Sequence, residues 1–386
     1  MEETAYIARA HTSIYPLPER SMSNFIRVRA GLLRETHPGE RRVALTPEDV
    51  RRLSKRVSVR FERGCGVGAG HVDEAYVVAG GEPAEFADMV PSSDIFVSVR
   101  QPATTRVFPA TATLVFLGSH APLATRLPSG ARPLHLDIAR LSCVQGVKGA
   151  DISSRQAAIT GHAAVLEAAR QFGISHPMLM VDGSFVRPVR MAALGGDAAS
   201  LQALATARRL GALTHGFGLA KDSQEKIERL GARFLGTTLA PMPFPRALPE
   251  QELARLRREL SDPLSKMQLI TTNAVIAGQT APLLLDEDMF SRLSSGTVIV
   301  DLAAESGGNC TLTRADEIIN VFGVRIIGST TLASHEAAEA SRHFSDGVRN
   351  LLEHLIDADG VLRLDPSDST VAALLEDEAK TRCASS

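Results

Sequence analysis

Between Pro188 and Lys221 the chain admits few folds. A short apolar run, Val189 to Leu194, meets the pair Gly195-Gly196. An alanine-rich segment follows, with Ala199, Ala203, Leu204, Ala207 and Leu210 at helical spacing. Gly211 supplies a helix stop, and a second apolar run begins at Ala212. Two strand-length runs flanking one helix predict parallel strands joined by a crossover, because parallel strands cannot be joined by a tight turn. This is the strand–turn–helix–strand order of a Rossmann unit, in which a diphosphate rests on the helix N-terminus.

The rest of the chain repeats that alternation. Ile26 to Leu33, Val57 to Phe61, Asp94 to Val99 and Ala112 to Leu117 read as strands. Thr46-Pro47-Glu48-Asp49 opens a helix, with threonine as cap, proline at the first position and acids in the first turn. Ser154 to Gly173 is an amphipathic helix long enough to join two domains. Further on, Asp222 to Leu230 and Glu250 to Leu260 read as helices, and Gln268 to Thr272, Thr297 to Leu302 and Val324 to Gly328 as strands. Ala333 to Ile356 reads as a returning helix, and the tail from Asp365 as loose, with Val371 to Leu375 able to dock. The expected fold is α/β: two Rossmann-like domains with mostly parallel sheets, joined by long helices, with a cleft between them. The expected division is a disordered leader (1–24), a discontinuous N-terminal, substrate-side domain (25–153 plus 345–386) and a dinucleotide-binding domain (154–344).

With 386 residues there is enough chain for two cores. A formal net charge of −2 gives no reason to expect nucleic acid as a partner. No apolar run approaches the roughly 20 residues of a bilayer span, and no signal-peptide core precedes the first strand. The cysteines (Cys65, Cys143, Cys310, Cys383) form no CxxC pair, so a cytoplasmic setting without structural metal is expected. The loop Gly64-Cys65-Gly66-Val67-Gly68-Ala69-Gly70 follows a strand, as a phosphate cradle would. Asp73-Glu74 at the next helix start opposes a phosphate, which favours a simple turn.

Three stretches carry a resemblance. Gly39-Glu40-Arg41-Arg42-Val43-Ala44-Leu45-Thr46-Pro47 resembles the N-terminal signature shared by alanine dehydrogenase and the soluble NAD-binding first domain of NAD(P) transhydrogenase. The run from Thr297 to Cys310 is similar to that transhydrogenase domain's own motif. Asn273-Ala274-Val275-Ile276-Ala277-Gly278-Gln279-Thr280-Ala281-Pro282 resembles its loop after the fourth Rossmann strand, with Ala277 where the family has proline. The resemblance runs from about Phe25 to Ile356. It implies NAD or NADP as cofactor, a small-molecule substrate and a homodimer without membrane insertion. Separate transhydrogenase subunits are implied only for a true transhydrogenase.

The family's Gly-x-Gly-x-x-Gly falls on Gly195-Gly196-Asp197-Ala198-Ala199-Ser200. Gly195 keeps the tight turn and Ser200 is small enough for helix–strand packing, but Asp197 stands where the backbone must approach the pyrophosphate. A carboxylate about 4 Å from a phosphate charge costs roughly 4 kcal/mol at an effective dielectric near 20. Aspartate is also a preferred N-cap, so cap and cofactor compete for the same N–H groups. The acid expected on the adenosine ribose falls on Gly218, leaving Lys221 or Asp222 to replace it. Ala274, Gly278 and Asp301 complete the cofactor side of the resemblance.

On the substrate side the resemblance places a carboxylate-binding arginine at Arg42 and an acid/base histidine at His120. The family's lysine falls on Ser98, with Arg100 on the same strand face. Arg42 reads equally well as a turn-bracing ion pair, and His120 as a loop histidine. The transhydrogenase segment over the nicotinamide falls on Cys143-Val144-Gln145, which lacks its arginine. Gln145 and Asp151 keep their places, and Glu305 faces the same cleft or caps its loop. Two functions follow. One is an NAD(P)-linked oxidoreductase with an altered site, acting on a small amino or oxo acid. The other is a pseudoenzyme that has lost nicotinamide binding and serves as a non-redox enzyme or a partner protein.

Overall fold

The computed structural model describes residues 28–118, 133–143, 151–173, 180–181, 184–185, 187–241, 247–276 and 279–375. The expected leader lies outside them. Six short strands form the first sheet: β1 (Arg29–Leu32), β2 (Ser58–Glu62), β3 (Glu82–Ala84), β4 (Ile95–Val97), β5 (Thr113–Phe116) and β6 (Leu134–Asp137). Their order is β3-β2-β1-β4-β5-β6, every neighbouring pair parallel. β4 and β5 are buried at every residue rather than alternately, as strands covered on both faces should be. The helices between them are short: α1 (Pro47–Leu53), α2 (Asp73–Val78) and α3 (Phe86–Met89).

The joining helix α4 (Asp151–Phe172) leads, past a small antiparallel hairpin of β7 (Met180–Val181) and β8 (Ser184–Phe185), to β9 (Arg190–Leu194). Next come α5 (Ala198–Arg209), β10 (Leu213–Phe217), α6 (Ser223–Arg229), β11 (Arg233–Phe234), α7 (Glu250–Ser265) and β12 (Leu269–Thr272). The unit closes with α8 (Glu287–Phe290), β13 (Val298–Asp301), β14 (Ile318–Val321) and β15 (Val324–Ile327). The seven-stranded order is β11-β10-β9-β12-β13-β15-β14, parallel except for the β14 edge. Without β14 it has the Rossmann order 3-2-1-4-5-6, whose ligand crevice lies where the order reverses, beside β9. α9 (Ala337–Leu355) and α10 (Ser369–Leu375) are the last described elements, and both bury apolar residues in the core of the first sheet.

Two close approaches set the frame. A Cβ at Gly161 of α4 would collide with the carbonyl of Ala199, so only glycine lets α4 lie directly on the first turn of α5. Among the described residues the segment 41–46 has no strand partner. Its N–H groups go instead to hydroxyls on and before α9: Arg41 to Ser334 (3.1 Å), Val43 to Ser341 (3.0 Å) and Thr46 to Ser345 (2.8 Å).

Several local expectations need correction. Thr46 occupies the cap position of α1, yet its hydroxyl faces Asp49 Oδ2 (3.3 Å) and caps nothing. α7 runs through Pro263 to Ser265, because Leu264 stays in phase with buried Leu256 and Leu260. The segment 369–375 docks as a helix: Asp368 accepts the N–H groups of Thr370 (2.8 Å) and Val371 (3.1 Å), which starts α10. The glycine-rich loop is a packed 3-10 turn, with Gly68 pressed on the Arg41 backbone and Gly66 on the Tyr76 ring. Among the described residues no helix is long and apolar enough to cross a membrane.

Candidate functional site

The turn from β9 into α5 forms as its residues require. Gly195 has φ +151°, where a Cβ would strike the Ser200 hydroxyl and lie 2.9 Å from the Asn273 carbonyl. Ser200 is buried against that turn and serves its packing. Asp197 caps α5, accepting from Ala199 N (3.3 Å) and Ser200 N (3.2 Å), and Asn273 Nδ2 donates to it at 2.5 Å. The N–H groups that a diphosphate would use are therefore already bonded to a carboxylate. The backbone of the turn fits a dinucleotide; the Asp197 side chain opposes one.

The space beside Gly218 is already filled. A Cβ at Gly218 would lie 2.6 Å from the Ser223 hydroxyl and 2.8 Å from its Cβ, and the same hydroxyl crowds Gly196. Ser223 is fully buried, and among the described residues its hydroxyl has no hydrogen-bond partner. It fills the space between the two glycines. Asp222 is half-exposed and pairs with Lys226 at 2.5 Å.

Asp301 is not available to a cofactor. It is fully buried and accepts from Thr272 Oγ1 (2.9 Å), Ala303 N (3.0 Å), Asn309 N (2.7 Å), Cys310 N (3.1 Å) and Thr313 Oγ1 (2.6 Å). Ala274 is held through its backbone: Asn309 Oδ1 accepts from its N–H (2.9 Å) and Asn309 Nδ2 donates to its carbonyl (2.8 Å). Asn309 and Ser223 are two of the residues that sequence reasoning missed. Asn309 stood in the quoted motif behind Gly307 and Gly308, both at positive φ, which turn its side chain inward.

A charge cluster links the first sheet to the loops beyond β13 and β15. Glu40 grips Arg42 on one edge, Nε to Oε1 at 2.8 Å and NH2 to Oε2 at 2.6 Å, while Gln156 accepts from NH1 at 2.8 Å. Arg42 is held in a buried ion pair, with Nε, NH1 and NH2 each donating to a neighbour. Arg100 reaches over to the second domain. Its Nε donates to Glu40 (3.1 Å), its NH1 to Glu305 (3.1 Å) and its NH2 to the Thr330 carbonyl (2.6 Å). Ser98 is buried and donates to the Arg100 carbonyl at 2.6 Å. His120, Gln145 and Gly278 lie outside the described residues; Asp151 opens α4, and its side chain lies outside them too.

Glu35 enters the site unannounced by any motif. Its carboxylate accepts from Val99 N (2.6 Å) and Arg100 N (3.2 Å). Burial pushes it up to about 7 despite those bonds, with Glu40 adding to the rise. Burial also pushes Glu40 up, but the paired Arg42 outweighs it and holds Glu40 at about 2. The two act in separate windows. A folded-state pKa above the unfolded one makes Glu35's contribution full below about pH 4.5 and lost as pH rises through 7. The loss is about 3 kcal/mol at 1.36 kcal/mol per unit. Glu40's contribution, in contrast, is present above about pH 4.5 and fades as pH falls toward 2. Chemical denaturation from pH 5 to 8 should show stability falling in the wild type and a much flatter profile in Glu35→Gln; parallel profiles would remove Glu35 as the source.

Comparisons with known proteins agree with this layout. The family models described as alanine dehydrogenase/PNT, N-terminal domain, and alanine dehydrogenase/PNT, C-terminal domain, match residues 31–131 and 164–379. NAD(P) transhydrogenase subunit alpha of Cereibacter sphaeroides is 35% identical over 366 residues, covering 89% of this chain and 69% of that protein. In Rhodospirillum rubrum the first of the pieces into which that subunit is divided is 32% identical over 367 residues, covering 89% of this chain and 92% of that one. Alanine dehydrogenase of Mycobacterium tuberculosis is 25% identical over 297 residues, 73% of this chain and 74% of that one. The crystal structure of transhydrogenase from Sinorhizobium meliloti superposes with a TM-score of 0.79 at 28% identity, over 90% of this chain and 97% of that one.

Proposed function

Because the chain belongs to the alanine dehydrogenase/PNT family, we propose that it is an NAD(P)-linked oxidoreductase of that type with an altered site, acting on a small amino or oxo acid between its two domains. One observation carries this reading: the arginine cluster of the first domain reaches, through Arg100, onto the loops beyond β13 and β15 of the second sheet. A cationic group at the cleft next to a Rossmann crevice is what an anionic substrate held beside a dinucleotide requires. Gly195, Gly196 and the first N–H groups of α5 would hold the diphosphate once Asp197 releases them. A bound nicotinamide supplies hydride chemistry; the chain's own role is to orient the acid and, through His120, to move a proton. Gln145 and Asp151 are assigned to the nicotinamide side, and the protein is proposed to work in the cytoplasm as a homodimer. Separate subunits apply only if the activity is that of the transhydrogenase relatives.

A second reading is a descendant that has lost nicotinamide binding and acts as a non-redox enzyme or a partner protein. The Asp197 cap favours it, because that side chain holds the N–H groups a diphosphate needs. Calorimetric titration with NAD, NADH and NADPH separates the two. Saturable binding tighter than about 1 mM, about −4 kcal/mol, supports the oxidoreductase. A flat titration through that range with all three leaves only the second reading.

A further inference from the structure

We propose that Arg100, rather than Arg42, receives the substrate's carboxylate, and that Glu305 holds its place until the substrate arrives. The proposal rests on the small-acid reading above. Arg42 is spent: Glu40 spans its Nε–NH2 edge, Gln156 takes NH1, and only 7% of its side chain is exposed. Arg100 is built differently. Its backbone is pinned on both sides, the N–H by Glu35 and the carbonyl by the Ser98 hydroxyl. Its guanidinium is aimed by Glu40, whose side chain is fully buried, and by the Thr330 carbonyl. Those partners fix where NH1 points.

What NH1 meets is the replaceable member of the set. Glu305 sits on a 3-10 turn, 38% of its side chain is exposed, and a single oxygen makes the contact at 3.1 Å. A partly exposed one-point ion pair is weak, so a substrate carboxylate can take NH1 from Glu305 while Nε and NH2 keep Glu40 and the Thr330 carbonyl. Charge balance points the same way. Two guanidinium groups face Glu40 and Glu305, with Glu35 behind them. An acid that entered without displacing Glu305 would add an uncompensated negative charge. An acid that displaces it leaves the balance unchanged and sends Glu305 outward to water. The ligand class is therefore a small monocarboxylate, matched by the contact it replaces.

The test uses the full chain without cofactor, so its outcome is independent of the nicotinamide titration. Calorimetry with 2-oxobutanoate, and with its methyl ester as the uncharged control, is applied to the wild type, Glu305→Gln and Arg100→Lys. Removing the competing carboxylate should tighten 2-oxobutanoate binding about threefold to fivefold, the worth of an exposed ion pair. The ester should bind none of the proteins measurably. Arg100→Lys keeps the charge but loses the planar fork, and should weaken the acid about tenfold or more with the circular dichroism spectrum unchanged. Unchanged or weaker binding to Glu305→Gln overturns the placeholder. Wild-type affinity in Arg100→Lys, equal binding of the ester, or no binding of the acid to either wild type or Glu305→Gln overturns the site.

Discussion

Asp197→Gly should tighten the binding of NAD by up to about a thousandfold. A carboxylate about 4 Å from a diphosphate charge opposes it by roughly 4 kcal/mol at an effective dielectric near 20, and each 1.4 kcal/mol is about tenfold in affinity. The substitution also frees the N–H groups of Ala199 and Ser200 and the Asn273 amide, all now bonded to that side chain. Exchanging an aspartate cap for glycine costs the helix only about a few tenths of a kcal/mol, so α5 should hold. The gain should shrink as salt is added, because it is electrostatic. Calorimetry on the variant and the wild type measures it, and an unchanged affinity would place the obstacle away from the turn. Restoring the acid with Gly218→Asp should not help by itself. Its Cβ would meet Ser223, so Ser223→Gly must accompany it.

Asp301→Ala should lower the unfolding free energy by about 4 kcal/mol or more. Three backbone N–H groups and two threonine hydroxyls converge on the lost carboxylate in a fully buried place. Each buried polar group left without a partner costs about 1–3 kcal/mol, and the loop can relax to recover only some of them. Asp301→Asn keeps the shape and an acceptor, and should cost clearly less. Urea denaturation midpoints compare the three proteins. A variant as stable as the wild type would show that the loop finds other partners. The same loop carries Glu305, so the variant should also loosen the contact with Arg100.

Much of the fold was legible because its signals are local. The apolar runs on either side of α5, the stop at Gly211 and the capping aspartate all lie within one stretch, and the structure has them in that order. β6 and β14 were not legible. β6 is four residues with a histidine and an aspartate, and β14 is an edge strand with two exposed positions. β6 has no apolar run to announce it, and Asn320 interrupts that of β14. The site divides the same way. Glu40 stands two residues before Arg42, so their pairing was within reach of a sequence argument, while Gln156 arrives 114 residues later. The Arg100–Glu305 contact joins positions 205 apart and left no local trace. Ser223 was hidden for a different reason: its meaning depends on two glycines, Gly196 and Gly218, approaching each other in space.

The hydroxyls of Ser334, Ser341 and Ser345 give α9 a mechanical role. A segment hung from a sheet is held in register by its neighbouring strands. The segment 41–46 is instead indexed to a helix, like a rack against a pinion. Ser334 also donates to Glu40 at 2.5 Å while accepting from Arg41, so it grips this segment and the cluster's central acid together. Any sliding of α9 or of the turn before it would therefore move Glu40 and Arg42 by the same step, and with them the aim of Arg100.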